Sequence, residues 1–203
     1  MRLHIASGLV EPGQAFGATD VEREFRLSQQ EAQEPITALI QEGFLAPIGR
    51  LTIVREWPET ELQNALDTAA ILESSALVQV ASTETAAALE AAVDLVIQRT
   101  KPKGGYDSVV DDLALSASIV TAGGTPAMQH LYASQVPIAA YYHAVDAYSP
   151  AKAWLAHLRT LRDALRSRDA GAAAEAITQW RFSMSQSRST VALPATDRAT
   201  VRH

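Results

Sequence analysis

The sequence predicts a mainly α-helical protein: a small N-terminal winged helix-turn-helix head, then a six-helix antiparallel bundle. Three observations point there. Apolar residues recur at helical spacing along most of the chain beyond Glu61. Gly and Pro cut the first 57 residues into short pieces. Hydrophobic residues make up 47% of the 203 positions and charged ones 20%, enough apolar side chain for a core without disulfide staples.

In chain order, Gly8, Pro12, Gly13 and Gly17 break any helix between 8 and 17, so 1–7 reads as a helix remnant. Thr19 or Asp20 caps a helix through Val21 to Phe25. Leu27-Ser28 is a tight turn with Ser28 as the next N-cap, and Ala32, Ile36, Leu39 and Ile40 stripe a helix that ends at Gly43. Phe44-Leu45 and Leu51 to Val54 flank Pro47 to Arg50 as a hairpin. Trp57 to Thr60 reads as a linker ending in a cap. The bundle helices are expected at about Glu61–Ala81, Thr85–Arg99, Ser108–Ala122, Pro126–Asp146, Ala151–Arg168 and Ala170–Arg188. This gives a head over 1–57, a helical domain over 58–190 and a disordered tail over 191–203.

Without cysteine there is no disulfide framework, thiolate metal site or cysteine nucleophile. No apolar stretch at the start has signal-peptide character and none later reaches the ~20 residues of a membrane span, so the expected location is the cytoplasm, with no membrane partner. A net charge of −6 argues against a general affinity for nucleic acid, which depends on Lys and Arg neutralising phosphates.

The wording of the head is more specific than its outline. Ile5-Ala6-Ser7-Gly8-Leu9-Val10-Glu11-Pro12-Gly13 resembles the opening of GntR-type transcriptional regulators. Val21 to Ser28 and Ala38 to Leu45 resemble that family's next two helices, and Gly49 to Val54 its wing. The helical part is similar to the FCD ligand-binding domain of the FadR subfamily at Ile71-Leu72-Glu73, Asp112 to Pro126 and Ala164 to Ala174. The resemblance spans nearly the whole chain and implies a homodimeric, ligand-responsive regulator that binds DNA.

Departures from the family pattern bear on that function. The recognition helix opens Ser28-Gln29-Gln30-Glu31-Ala32-Gln33-Glu34-Pro35, with Gln29 and Gln33 where the family has arginines and Glu31 and Glu34 where phosphate would lie. Gln30 and its neighbours can still read adenine edges, and Arg50 at the wing completes the DNA-binding set that the resemblance implies. Pro35 removes a helix hydrogen bond and is expected to bend the helix, at about 3 kcal/mol. The head holds five arginines against eight carboxylates. It is either a divergent DNA binder or a scaffold that has lost DNA binding.

In the helical domain, metal-binding members of the family use one Asp and three His. Asp112 keeps the carboxylate, but the His positions fall on Ser116, Leu158 and Trp180, with His157 one residue off, and a ligand-facing arginine falls on Ala69. A one-residue shift turns a helical side chain by about 100°. No metal and no cofactor are therefore expected. Either Trp180 fills the space, or an apolar ligand pocket remains, walled by Ala69, Leu115, Leu158 and Trp180, with Tyr142 and His157 nearby and Asp112 and Ser116 as its polar points.

His130, Tyr132, Tyr141, Tyr142, His143 and Asp146 share one long helix, where such groups are more often satisfied or surface side chains than catalytic ones. Ser116 lacks the elbow or oxyanion motif of a nucleophile, so no catalytic residue is assigned. Arg159, Arg162, Arg166 and Arg168 read as a solvated face. Two functions stand: a GntR-like regulator with a small, rather apolar ligand in its helical domain, or a small-molecule-binding protein or enzyme that keeps the architecture without DNA binding.

Overall fold

A computed structural model describes residues 5, 10–100, 106–134 and 151–189. The head comprises α1 (Ala18–Phe25), α2 (Gln29–Gln41) and a two-stranded antiparallel sheet of β1 (Leu45–Ile48) and β2 (Leu51–Val54). The helical domain comprises α3 (Glu59–Val80), α4 (Thr85–Arg99), α5 (Tyr106–Gly123), α6 (described over 126–134), α7 (Ala151–Ser167) and α8 (Ala170–Ser189). Periodicity places the bundle helices within two residues of these ends wherever both ends are described. The expected extension of α6 to Asp146 and the tail 191–203 lie outside the described residues.

Local chemistry explains the boundaries. Ser28 and Glu31 form a reciprocal capping box at the start of α2: Ser28 N–H donates to the Glu31 carboxylate at 2.8 Å and Glu31 N–H to Ser28 Oγ at 3.4 Å. The helix ends in a Schellman turn, with Gly43 at φ +80° and Phe44 N–H donating to Leu39 O at 2.9 Å. Pro35 does not end α2, which continues to Gln41 with Ala32, Ile36 and Leu39 buried on one side. The wing closes through Gly49-Arg50, Gly49 having the positive φ that a two-residue hairpin loop needs at its first position. Residues 13–16, read from sequence only as a break, pair with the outer side of β2: Gly13 N–H donates to Val54 O, Val54 N–H to Gln14 O and Phe16 N–H to Thr52 O. At the other end of the chain, Asp169 Oδ1 caps α8 by accepting from Ala172 N–H at 2.9 Å.

Of the expected linker at Trp57–Thr60, Glu59 and Thr60 already belong to the first turn of α3, with Pro58 as its N-cap residue. Leu62 and Ala65 join the head's core of Val21, Ala32, Leu39, Phe44 and Val54, while Leu66, Ala76, Leu77 and Val80 join the bundle core. One helix thus carries both cores. In the bundle, α3 packs on α8 and α5, α7 on α8 and α4, and α4 also on α5.

Arg162 and Arg166 do more than form a solvated face. Arg166 pairs with Glu90 at 2.7 Å and Arg162 with Asp94 at 3.6 Å, tying α7 to α4. Such exposed pairs contribute at most about 1 kcal/mol each.

Where α5 ends, a Cβ on Gly123 would overlap the backbone carbonyl of Ala76 in α3, and backbone cannot swing aside. Gly123→Ala is therefore expected to destabilise the protein by about 1–3 kcal/mol, read as a lower urea midpoint at unchanged slope. An unaltered midpoint would mean that α3 and α5 do not approach so closely.

Candidate functional site

Helical spacing brings the predicted residues of the bundle to its centre. Asp112 and Ser116, four apart on α5, share the face turned to α3 and α8, and both are buried. Facing them are Glu73 of α3, 0% exposed, and Arg181 of α8, 1% exposed. Neither was assigned to the site from sequence.

Arg181 organises the cluster. Its Nε donates to Glu73 Oε2 at 2.9 Å, and its two terminal nitrogens donate to Glu73 Oε1 at 2.8 Å, Ser116 Oγ at 2.5 Å, Asp112 Oδ2 at 2.6 Å and Met184 Sδ at 3.3 Å. A guanidinium has five N–H donors. All five are used here, so none remains for a ligand. Asp112 and Ser116 are thus not isolated polar points in an apolar cavity: they are two acceptors for a cation supplied by α8.

Burial works against the charge on Arg181, but the carboxylates of Asp112 and Glu73 outweigh it and hold the guanidinium well above its usual range. Burial pushes the Glu73 carboxyl up, against the opposing pull of Arg181. Tyr132 of α6 is buried beside them and its phenol is pushed up, first by desolvation and then by the negative charge of Glu73. Its hydroxyl has no hydrogen-bond partner among the described residues.

A second layer lies against Arg181. His157 of α7 stacks on Trp180 at 5.0 Å and on Trp154 at 5.5 Å between ring centroids, and Trp154 and Trp180 are themselves 5.0 Å apart. His157 is half-buried, yet its Nε2 is sealed and unpartnered. Desolvation, reinforced by the positive charge of Arg181, pushes the imidazole down to about 3, so it is neutral at physiological pH. Trp180 packs into the bundle core with Leu115 and Leu158. Ala69 lies in a separate cluster with Leu72, Val120 and Tyr132. Tyr142 falls outside the described residues.

These residues do not fit a metal. Asp112 is held by Arg181, Leu158 has no donor atom, and an indole offers only an N–H. Among the described residues no group of three or more metal-ligating side chains converges.

On the head, Gln29, Gln30 and Gln33 are exposed along α2, and Arg50 is exposed at the wing tip between the exposed side chains of Ile48 and Leu51. Ser28 is occupied as the cap. Glu31 accepts from both Ser28 N–H and Ser28 Oγ, bonds that lower its carboxyl, and so places a carboxylate at the helix start, where a phosphate would otherwise bind. Arg23 pairs with Asp20 at 2.8 Å.

Sequence comparison finds no matching protein family and no matching curated protein. Solved structures do match, end to end. The chain resembles E. coli McbR/YncC at a TM-score of 0.71 and 14% identity, covering 93% of this chain and 94% of that one. It resembles a GntR transcriptional regulator from Rhodococcus sp. RHA1 at 0.72 and 17%, with 93% and 94% covered. Lar, which controls expression of the agr system in Listeria monocytogenes, matches at 0.60 and 11%, with 94% of each chain covered. The fold is that of GntR-type transcriptional regulators: a winged helix-turn-helix head on a helical domain.

Two measurements test the core. Arg181→Met leaves two carboxylates buried without their cation and should cost about 3–5 kcal/mol at neutral pH. The loss should shrink toward pH 5, because a Glu73 whose carboxyl lies above its unfolded value binds its proton first in the folded state, so folding gains as pH falls. A deficit that ignores pH would reduce Arg181 to a packing residue. His157 behaves oppositely. Its folded value near 3 lies below the unfolded 6.5, so its contribution is present above pH 6.5 and lost as pH falls toward 3, by up to about 1.4 kcal/mol per pH unit. Urea midpoints across that window should flatten in His157→Phe, and an unchanged slope would assign the acid sensitivity elsewhere.

Proposed function

We propose that this protein is a transcriptional regulator of the GntR type, built on the FadR plan, which acts as a homodimer in the cytoplasm. Its winged head meets DNA, and its FCD-like helical domain receives a small-molecule signal. The observation that carries this is the match of head and helical domain together, in the same order, over more than nine-tenths of both chains, to regulators of that type. The shared helix supports it: α3 holds the head's core at Leu62 and the bundle's core at Leu66, so a change in the bundle has a rigid route to the DNA-binding face. Because Arg181 leaves no donor free beside Asp112 and Ser116, the signal is not read by that guanidinium.

A second reading rests on α2, which exposes Gln29, Gln30, Glu31, Gln33 and Glu34 and contains no Lys or Arg. A surface of that charge repels phosphate. It favours a small-molecule-binding protein that keeps the architecture after losing DNA binding.

Fluorescence anisotropy with a duplex from the gene's own upstream region and with a scrambled duplex, across a salt series, separates the two. The regulator reading predicts sequence-selective binding with a shallow salt dependence. In the double variant Gln29→Arg, Gln33→Arg, two added phosphate contacts should steepen the slope of log K against log salt by about 2 and change sequence preference. No selectivity in the unmodified protein even at low salt would sink the regulator and leave the second reading.

A further inference from the structure

A cleft of about 490 Å³ opens at the junction of the two cores. That volume is in the range of small-molecule sites, which favour domain interfaces. The end of α2 lines it with Ile40 and Gln41, the first turns of α3 with Asn64, Ala65 and Thr68, and α6 with Ser134.

The charges that border the cleft are already engaged. Arg55 lies over the Trp57 ring, 4.1 Å from its centroid, and contacts Glu61 at 3.4 Å, while Arg55 and Glu42 each have further partners. A charged ligand would have to displace one of these interactions or lose water without gaining a counter-charge, so the cleft suits a neutral molecule. Its uncharged polar groups are in a different state. The side-chain amides of Gln41 and Asn64 make no hydrogen bond among the described residues. The hydroxyls of Thr68 and Ser134 donate to the backbone carbonyls of Asn64 at 2.7 Å and Leu131 at 3.1 Å, so each offers only lone pairs to a further partner. A primary amide carries an acceptor beside its donors and pairs two-fold with an edge that does the same. The hydroxyls in turn call for an N–H.

We infer that this cleft binds a neutral cyclic amide, a flat ring with C=O and N–H on adjacent atoms, whose polar edge pairs with Asn64 and whose apolar body lies against Ile40 and Ala65. Gln41 supplies a second amide from α2, and Thr68 and Ser134 supply acceptors. Because the walls come from both sides of the junction, the bound ring biases the seating of α2 against α3. That consequence rests on the regulator reading; the binding itself does not.

Ligand NMR titrations of the full chain test this with three probes built on one ring: 2-quinolone, N-methyl-2-quinolone, whose N–H is blocked, and anionic 2-quinolone-4-carboxylate. Saturable one-site binding is expected for 2-quinolone, about tenfold weaker binding for the N-methyl form and none for the anion. Asn64→Leu, at an exposed position, should erase the advantage of 2-quinolone over its N-methyl form, and Thr68→Trp should abolish binding by filling the cleft. Circular dichroism checks that each variant is folded; should Thr68→Trp fail to fold, Ser134→Trp across the cleft takes its place. Three results would overturn the site: no saturable binding of 2-quinolone, equal binding of all three probes, or 2-quinolone binding undiminished in the folded filled variant. Binding of 2-quinolone without DNA binding would remove the regulator reading and leave the site standing, and DNA binding without 2-quinolone binding would do the reverse.

Discussion

A guanidinium held away from water at the centre of the bundle is the constraint on which the rest of the helical domain depends. Moving such a charge out of water costs several kcal/mol even after relaxation, so it persists only where acceptors meet it in good geometry. Those acceptors come from two other helices, Glu73 on α3 and Asp112 and Ser116 on α5, and each must arrive in register with Arg181 on α8. A rotation of any one helix by a single residue would strand a charge. Apolar packing alone is more tolerant of such slips. The ion cluster thus fixes the mutual rotation of three helices that Leu and Ala contacts would leave more loosely specified.

The same cluster leaves Arg181 without a free donor. A guanidinium whose five N–H groups all have acceptors presents no donor to an incoming molecule, and the stacked Trp154, His157 and Trp180 cover its flank. His157 stays neutral for the reason that Arg181 stays charged: the cation took the available carboxylates, leaving the imidazole a desolvated site next to positive charge. An open cleft lies where α3 passes from one core to the other.

Within the head, fold and electrostatics make separate demands. The capping box, the Schellman turn and the hairpin glycine build a winged helix-turn-helix without any basic residue in α2. The carboxylate of Glu31 serves the helix start from within, an arrangement that stabilises α2 and competes with phosphate for the same place. The architecture is that of a winged helix-turn-helix, while the charge of this one helix gives weak attraction to a phosphate backbone.

The sequence by itself marked the wing and the helices around Ser28, Gly43, Gly49 and Asp169, because periodicity and these residues act over a few positions; it misplaced the start of α1, where Gly17 is the N-cap and the expected caps Thr19 and Asp20 lie inside the first turn. It also held a trace of the buried ion cluster. Glu73 falls on the stripe of Leu62, Leu66, Ala69, Ala76 and Val80, and Arg181 on that of Ala173, Ile177, Trp180 and Met184, so each helix carries one charge on its buried face. Neither is one of the metal positions that the family resemblance implies, which fall on Asp112, Ser116, Leu158 and Trp180. Tertiary structure alone decided that the two charges meet, across 108 residues of chain, because pairing of buried charges depends on the rotation and depth of packed helices and leaves no local signal. It also decided that the helix beginning at Glu59 is shared by both cores, and that a cleft opens at their junction, because a cavity is what packing leaves unfilled.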